Sequence, residues 1–302
     1  MTPLEIVESQ RAAFLAADAG LVVAPERLRM NAERGEVLIM PASAAATGHF
    51  GVKILTGFPG NPARGLPANQ AVVVLGDLES GAVRAILDGT WITAARTGAT
   101  AALALDVAGP REIQTLAIMG SGPVADWAIR CCVAVRQPAE VRIWSRAREH
   151  AGALATRVRR HVPPNVRISV VADAIDAAAG AEAIVTATQA ARPLLSAADV
   201  ASAAHVSAMG GAEPAWEIQA ELLDRAVLIT DSPAAWREAS DIAQARGRAG
   251  RDPLLLGALC RDSSALSAVK GTRPTVFRGV GVAFQDLYLA IAALERRLQS
   301  PS

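Results

Sequence analysis

An apolar run, Ile113-Gln114-Thr115-Leu116-Ala117-Ile118-Met119, ends in Gly120-Ser121-Gly122-Pro123-Val124-Ala125, and a helical pattern follows from Asp126 to Arg136. This reads as strand, tight glycine turn, helix, in the form G-x-G-x-x-A. The residue types fit a dinucleotide pyrophosphate. Gly120 permits the sharp turn, Gly122 leaves the backbone open to a diphosphate, and Ala125 lets helix and strand pack closely. The first N–H groups of the helix lack internal partners and point at an anion. Such turns also join strands to helices in many α/β proteins, so the surrounding pattern has to decide.

That pattern is the βαβ rhythm of a parallel, doubly wound sheet. Strands are expected at 114–119, Val141–Trp144, Val166–Val170, Ala183–Thr186, His205–Met209 and Ala226–Ile229, with helices including 147–160 and 233–245. Residues 246–274, rich in Arg, Gly and Ser, give no assignment. Upstream the texture differs. Residues 4–19 read as a helix with Leu4, Val7, Phe14 and Leu15 on one side. A strand Glu36–Met40 stops at Pro41; another spans His49–Gly57, with Lys53 and Leu55 on one face and Val52, Ile54 and Thr56 on the other. Strands Gln70–Leu75 and Val83–Leu87, joined by a short turn, suggest an antiparallel or mixed sheet. A helix over Thr90–Leu105, capped by Thr93 or Thr90, carries Arg96 in its early turns, where an anion is favoured. Gly281–Gln299 is a final helix. The expected fold is therefore α/β: a Rossmann domain over 111–279, and a smaller α/β domain over 1–110 that the helix within 280–302 rejoins.

Net charge of +1 gives no electrostatic case for nucleic acid or membrane partners, and no apolar run reaches a membrane span. The N-terminus carries acids where a signal peptide has basic residues, and three cysteines make no disulfide framework, so the cytoplasm is the expected compartment. No C-x-x-C or H-x-x-x-H spacing suggests a metal.

The second Rossmann strand ends in Trp144-Ser145-Arg146-Ala147-Arg148. An NAD enzyme usually has an acid there for the ribose 2′-hydroxyl; here two cations stand instead, which favours NADP(H), with NAD(H) possible. The plain alternative is two solvent-facing arginines. Thr186, Ala187 and Thr188 end a strand on the ligand-binding carboxyl edge, as does Met209. Lys53 stands in the middle of an apolar strand. It either guards a sheet edge or faces a polar cavity.

Four segments carry a resemblance: Val52-Lys53-Ile54 followed by Asn61 and Gly65-Leu66-Pro67; Asp88-Gly89 with Ile92-Thr93-Ala94-Ala95-Arg96-Thr97-Gly98-Ala99; Gly120-Ser121-Gly122; and Ala226-Val227-Leu228-Ile229-Thr230-Asp231-Ser232. In this order they resemble the ornithine cyclodeaminase/mu-crystallin family. The resemblance implies a nicotinamide-dependent oxidoreductase acting at a CH–NH or C=N bond of an imine or amino acid, and a homodimer built by the N-terminal domain. It implies that Lys53, Arg96 and Arg27 surround the substrate carboxylate. Lys53 either bonds that carboxylate or relays a proton to nitrogen. By the same likeness Arg96, Thr97, Ser121, Val124, Ser145, Arg146, Thr186, Ala187, Thr188 and Met209 contact the cofactor. Two departures matter. Cyclodeaminases carry an aspartate base where this chain has Ala212, followed by Glu213. The family's strand before the first helix is also missing, which predicts an uncovered sheet edge or a weaker dimer. The leading expectation is an NADPH-dependent reductase of a cyclic imine carboxylate, of pyrroline-2-carboxylate or piperideine-2-carboxylate type. The alternatives are an ornithine cyclodeaminase, an alanine-dehydrogenase-like enzyme, or a catalytically drifted NADPH-binding protein of crystallin type.

Overall fold

The computed structural model describes all residues except 211–216, 240–241, 243–244, 246–251, 268–270 and 300–302. The chain forms two compact units, Met1–Arg96 with Gly281–Ser302, and Thr97–Val280. The change from one to the other falls between Arg96 and Thr97, inside a helix, and not at Gly109-Pro110.

In the first unit, helix α1 (Pro3–Asp18) opens with a capping box: Thr2 Oγ1 accepts from the Glu5 amide, and Glu5 Oε2 accepts from the Thr2 amide. Its buried face is Ile6, Val7, Gln10, Ala13 and Phe14, whereas Leu4 is exposed. The inward stripe is disguised in the sequence because its middle turn is a glutamine, whose Nε2 donates to the Gln285 carbonyl. Strands β1 (Val22–Val23), β2 (Leu28–Ala32), β3 (Gly35–Ala44), β4 (His49–Gly57), β5 (Asn69–Asp77) and β6 (Val83–Asp88) form an antiparallel sheet in the order β1-β3-β4-β5-β6, with β2 also on β3. The expected stop at Pro41 does not occur. β3 runs through it, because β2 pairs with residues 35–39 and β1 with 43–44, so the proline sits in the gap between them. The short strands β1 and β2 carry no alternation strong enough to be seen in sequence; every residue of β2 is exposed.

Helix α2 (Gly89–Ala108) is capped by Asp88, not by Thr90 or Thr93. Asp88 Oδ1 accepts from the Thr90 and Trp91 amides. The threonine hydroxyls are used elsewhere: Thr90 Oγ1 accepts from Ala71 N and Thr93 Oγ1 donates to the Gly89 carbonyl. The C-terminal helix (Ala283–Gln299) packs on α1, where Phe14 and Phe284 meet edge to face at 5.3 Å, and on β3 and β4. Such a ring pair adds about 1 kcal/mol beyond its buried area.

The second unit is built on eight parallel strands. In chain order they are β7 (Thr115–Met119), β8 (Glu140–Trp144), β9 (Arg167–Val170), β10 (Ala183–Thr186), β11 (His205–Ala208), β12 (Val227–Thr230), β13 (Leu254–Leu255) and β14 (Thr275–Arg278); across the sheet they run β13-β12-β14-β11-β10-β7-β8-β9. The chain winds outward from β7 through β8 and β9, then returns to β10 on the other side of β7. The neighbours β7 and β10 therefore mark the topological switch point of a doubly wound sheet, where ligands of such folds bind. Helix α3 (Pro123–Arg136) follows β7, and α4 (Arg148–Arg159) follows β8. The strands β13 and β14 were not expected. β14 is only four residues long, ends in an arginine, and is buried between β11 and β12, so neither length nor alternation betrays it. Of the helix expected over 233–245, Ala235–Glu238 is described, with Ile242 and Ala245 also helical.

Candidate functional site

Two polar constellations stand out, one in each unit. In the first unit, β4 is an inner strand, so the edge-guarding role for Lys53 is excluded. Lys53 is 1% exposed, on the face that turns towards the C-terminal helix. Gly51 shares that face: a Cβ there would lie 3.1 Å from Leu287 Cδ1, so its absence lets the helix lie close to the strand. One residue before Leu287 is Asp286, 1% exposed. Its Oδ2 accepts from Lys53 Nζ at 2.6 Å and its Oδ1 from Arg96 Nε at 3.2 Å. Arg96 Nη1 also donates to Gln285 Oε1 at 3.3 Å. Arg27 Nη2 donates to the Gly281 carbonyl at 2.5 Å, just before the same helix. Arg29, by contrast, pairs with Glu36 on the surface.

Burial draws the Lys53 ammonium down from 10.5 to about 8, opposed by Asp286 and assisted by Arg96 and Arg27. Lys53, Arg96 and Arg27 are thus brought to one neighbourhood at the start of the C-terminal helix. Sequence reasoning missed Asp286 and Gln285. The signal was present: Ala283, Phe284, Leu287, Ala290 and Ile291 form the buried stripe of that helix, and Asp286 interrupts it.

In the second unit the Gly120 amide donates to the Trp144 carbonyl, and the Ala187 amide to the Met119 carbonyl, so the turn is stitched to β8 and to the segment after β10. Gly120 has φ 131°, and a Cβ there would sit 2.4 Å from the Ala187 carbonyl oxygen. Gly122 differs: it caps α3 in extended geometry, and a Cβ would meet nothing within 4 Å. Pro123 at the first helical position leaves no amide wasted there. The open ground lies in a cavity of about 370 Å³ whose lining includes Gly120, Ser121, Gly122, Ser145, Arg146, Ala187 and Thr188. Ser121 Oγ and Ser145 Oγ are 3.0 Å apart, tying the turn to the end of β8. A backbone kept bare at the N-terminus of a helix, beside a serine pair and an arginine, is the donor set a dinucleotide requires.

Arg148, Val124, Thr186 and Met209 do not line this cavity, and neither does Thr97, buried at the start of the unit. His150 does, in the first turn of α4, together with Trp144, Ala147 and the stretch Gln189-Ala190. Sequence reasoning singled out neither Ala147 nor His150; their spacing, three apart at a helix start, is the signal that could have found them. The Thr186 and Thr188 hydroxyls both donate to the buried Glu217, at 2.7 and 2.6 Å, and the Thr188 and Gly210 amides add two more bonds to the same carboxylate. Glu217 therefore holds the ends of β10 and β11 together, a task no motif announces. Ala212 and Glu213 lie outside the described residues. Among the described residues no cluster of His, Cys, Asp or Glu is placed to hold a metal, and no helix is long and apolar enough to cross a membrane.

A doubly wound parallel sheet with a glycine turn at its switch point defines the second unit as a Rossmann-type dinucleotide-binding fold. The chain belongs to the ornithine cyclodeaminase/mu-crystallin family, whose profile matches residues 2–300. It is 32% identical over 288 residues to the ketimine reductase mu-crystallin of Mus musculus, covering 94% of this chain and 88% of that one. With Delta(1)-pyrroline-2-carboxylate reductase of Bacillus cereus it shares 29% identity over 304 residues, 98% of this chain and 92% of the relative. The structure of Thermococcus litoralis Delta(1)-pyrroline-2-carboxylate reductase in complex with NADH and L-proline superimposes with a TM-score of 0.90 at 25% identity, covering 99% and 94% of the two chains.

Proposed function

We propose that the protein is a nicotinamide-dependent oxidoreductase that reduces a cyclic imine carboxylate, of the pyrroline-2-carboxylate or piperideine-2-carboxylate type, to the cyclic amino acid. One observation carries the reading: Lys53 and Arg96 are buried together on a single carboxylate, and Arg27 is close enough to act on the same lysine. A cluster of cationic side chains at one place suits an anionic substrate. Membership of the family, and the imine reductases among its relatives, support the reaction type.

The roles follow from the side chains. Arg96 and Arg27 bind the substrate carboxylate, since guanidinium and carboxylate match in paired, charge-assisted hydrogen bonds. Fixing the carboxylate fixes the adjoining C=N carbon, which is catalysis by orientation. Lys53, with a proton that leaves near pH 8, supplies it to the ring nitrogen or bonds the carboxylate. A bound nicotinamide supplies the hydride. Ser121, Ser145 and Arg146 hold the ribose end, and we favour NADPH because that end offers hydroxyls and a guanidinium and no carboxylate among its lining residues.

The protein acts as a homodimer in this reading. On the face of the first sheet opposite Lys53, apolar residues form rows across the strands: Leu28, Ile39, Ile54 and Val72 in one register, and Pro41, Val52, Val74 and Ile86 in the next. Leu28, Ile54 and Ile86 are 56%, 39% and 71% exposed, which supports a surface for a partner of the same kind.

The test is one set of assays on the purified chain: NADPH and NADH oxidation with five- and six-membered cyclic imine carboxylates, with pyruvate plus ammonia, and ornithine with NAD+. NADPH oxidation with a cyclic imine is expected. Activity confined to ornithine or to pyruvate would overturn the assignment.

A further inference from the structure

The C-terminal helix delivers one buried anion to a cluster of cations 190 and more residues away in sequence. Asp286 uses its two oxygens separately, Oδ2 for Lys53 and Oδ1 for Arg96. A carboxylate so deeply buried persists only when charged partners satisfy it. We propose that Asp286 is the positioning residue of this cluster: one carboxylate locks Lys53 and Arg96 into a single geometry and balances one of their positive charges. This rests on the reading that the cluster receives the substrate carboxylate.

Three observations separate this role from an ordinary structural ion pair. The first is charge. The register partners of Lys53, Met40 and Val73, are apolar and buried. The charged groups acting on Lys53 are Asp286 from the C-terminal helix, Arg96 from α2 and Arg27 from the segment before β2. Lys53 and Asp286 therefore belong to a cluster of charged groups drawn from four segments and are not an isolated pair.

The second is residue choice. The sequence contains 28 arginines and only two lysines, Lys53 and Lys270. A static partner for a buried carboxylate is better made by arginine, with its forked donors, than by lysine. A buried lysine, unlike an arginine, can give up its proton near neutral pH. Its use at this position, in a chain so biased towards arginine, points to a proton that must be movable.

The third is the balance acting on that proton. Burial pulls the Lys53 ammonium towards neutrality and the two arginines pull the same way; Asp286 is the group that opposes them. Without the carboxylate, the Lys53 ammonium would be drawn lower still. Asp286 also sits in the first turn of its helix, where the backbone dipole favours an anion. Gln285, its neighbour, steadies that turn by accepting from both Arg96 and the Val282 amide.

Two variants of the full chain test the two halves of the proposal. Asp286→Asn keeps the shape and removes the charge; Asp286→Glu keeps the charge and shifts it by one methylene. With only two lysines, 13C-lysine labelling gives two side-chain signals, and Lys270→Arg assigns them. In Asp286→Asn the Lys53 signal is expected to titrate about one pH unit or more lower than in the wild type, and the alkaline limb of kcat/KM for the imine to move with it. Asp286→Glu is expected to leave the titration near the wild-type value while kcat/KM falls about tenfold or more. NADPH affinity should stay within about twofold in both, since the cofactor donors lie on other residues. An unshifted Lys53 titration in Asp286→Asn, or full activity in Asp286→Glu, overturns the proposal. The titration arm needs no substrate, so a wild-type protein inactive on every imine would defeat the functional reading and leave this arm to decide the role of Asp286.

Discussion

Lys53 and Asp286 are 233 positions apart in the chain, yet Nζ and Oδ2 lie 2.6 Å from each other with both side chains about 1% exposed. Their meeting is eased by a glycine two residues before the lysine, where a Cβ would press on the Leu287 side chain of the C-terminal helix. It turns a lysine on an apolar strand from an oddity into half of a chemical group.

Replacing Lys53 by methionine keeps the bulk and removes that charge. Imine reduction should fall by about 100-fold or more, with NADPH binding retained. Stability should change with a definite pH signature. The unfolded lysine holds its proton to 10.5 and the folded one to about 8, so between these values the unfolded chain binds more protons. Wild-type stability attributable to this group therefore grows as pH rises from 8 to 10.5, by on the order of 3 kcal/mol at most, and is lost as pH falls through 8. Urea unfolding of the two proteins across that window checks it; parallel curves would contradict the burial of a charged Lys53.

Gly120 and Gly122 should respond oppositely to alanine. At Gly120 the new Cβ meets the Ala187 carbonyl at 2.4 Å and φ is 131°, so Gly120→Ala should cost about 2 kcal/mol or more in stability. At Gly122 the Cβ enters open space. Gly122→Ala should melt like the wild type, within about 1 kcal/mol, while NADPH affinity drops about tenfold or more, because the added methyl fills the diphosphate's approach. Thermal melts with and without NADPH separate the two; unchanged NADPH affinity in Gly122→Ala would remove this turn from the cofactor site.

In the proposed reading Ser145 and Arg146, which line the cavity, set cofactor choice. Arg146→Ala should weaken NADPH about tenfold, the value of one charge-assisted hydrogen bond, and leave NADH nearly unchanged. Adding Ser145→Asp should invert the preference by repelling a 2′-phosphate and accepting from a 2′-hydroxyl. Fluorescence titrations with both cofactors decide it, and equal losses for the two would place the phosphate elsewhere.

The apolar rows on the outer face of the first sheet predict an isologous dimer. Sedimentation of the wild type should give twice the monomer mass. The pair Ile54→Asp and Ile86→Asp should yield a folded monomer, since both side chains are exposed in the single chain and their loss disturbs no core. A wild-type monomer, or a variant that remains dimeric, would point to another surface.

The sequence by itself determined six of the eight strands of the second unit and the helices α3 and α4 between the first of them. These are local patterns of apolar period and glycine punctuation, and the turn Gly120-Ser121-Gly122 announces both the fold and its ligand chemistry because strand, glycine turn and helix follow one another in the chain. Lys53, Arg96 and Arg27 were also legible, through residue type and the family segments around two of them. What only the tertiary structure decided was which groups meet. Asp286 reaches Lys53 because the chain returns after more than two hundred residues to lay its last helix on the first sheet, and Glu217 reaches Thr186 and Thr188 from a loop without a motif. β14 escaped notice because a short strand buried on both sides needs no alternation. Periodicity records what a residue faces, core or water; it does not record the partner it faces there, and in this protein a buried lysine has its meaning from that partner.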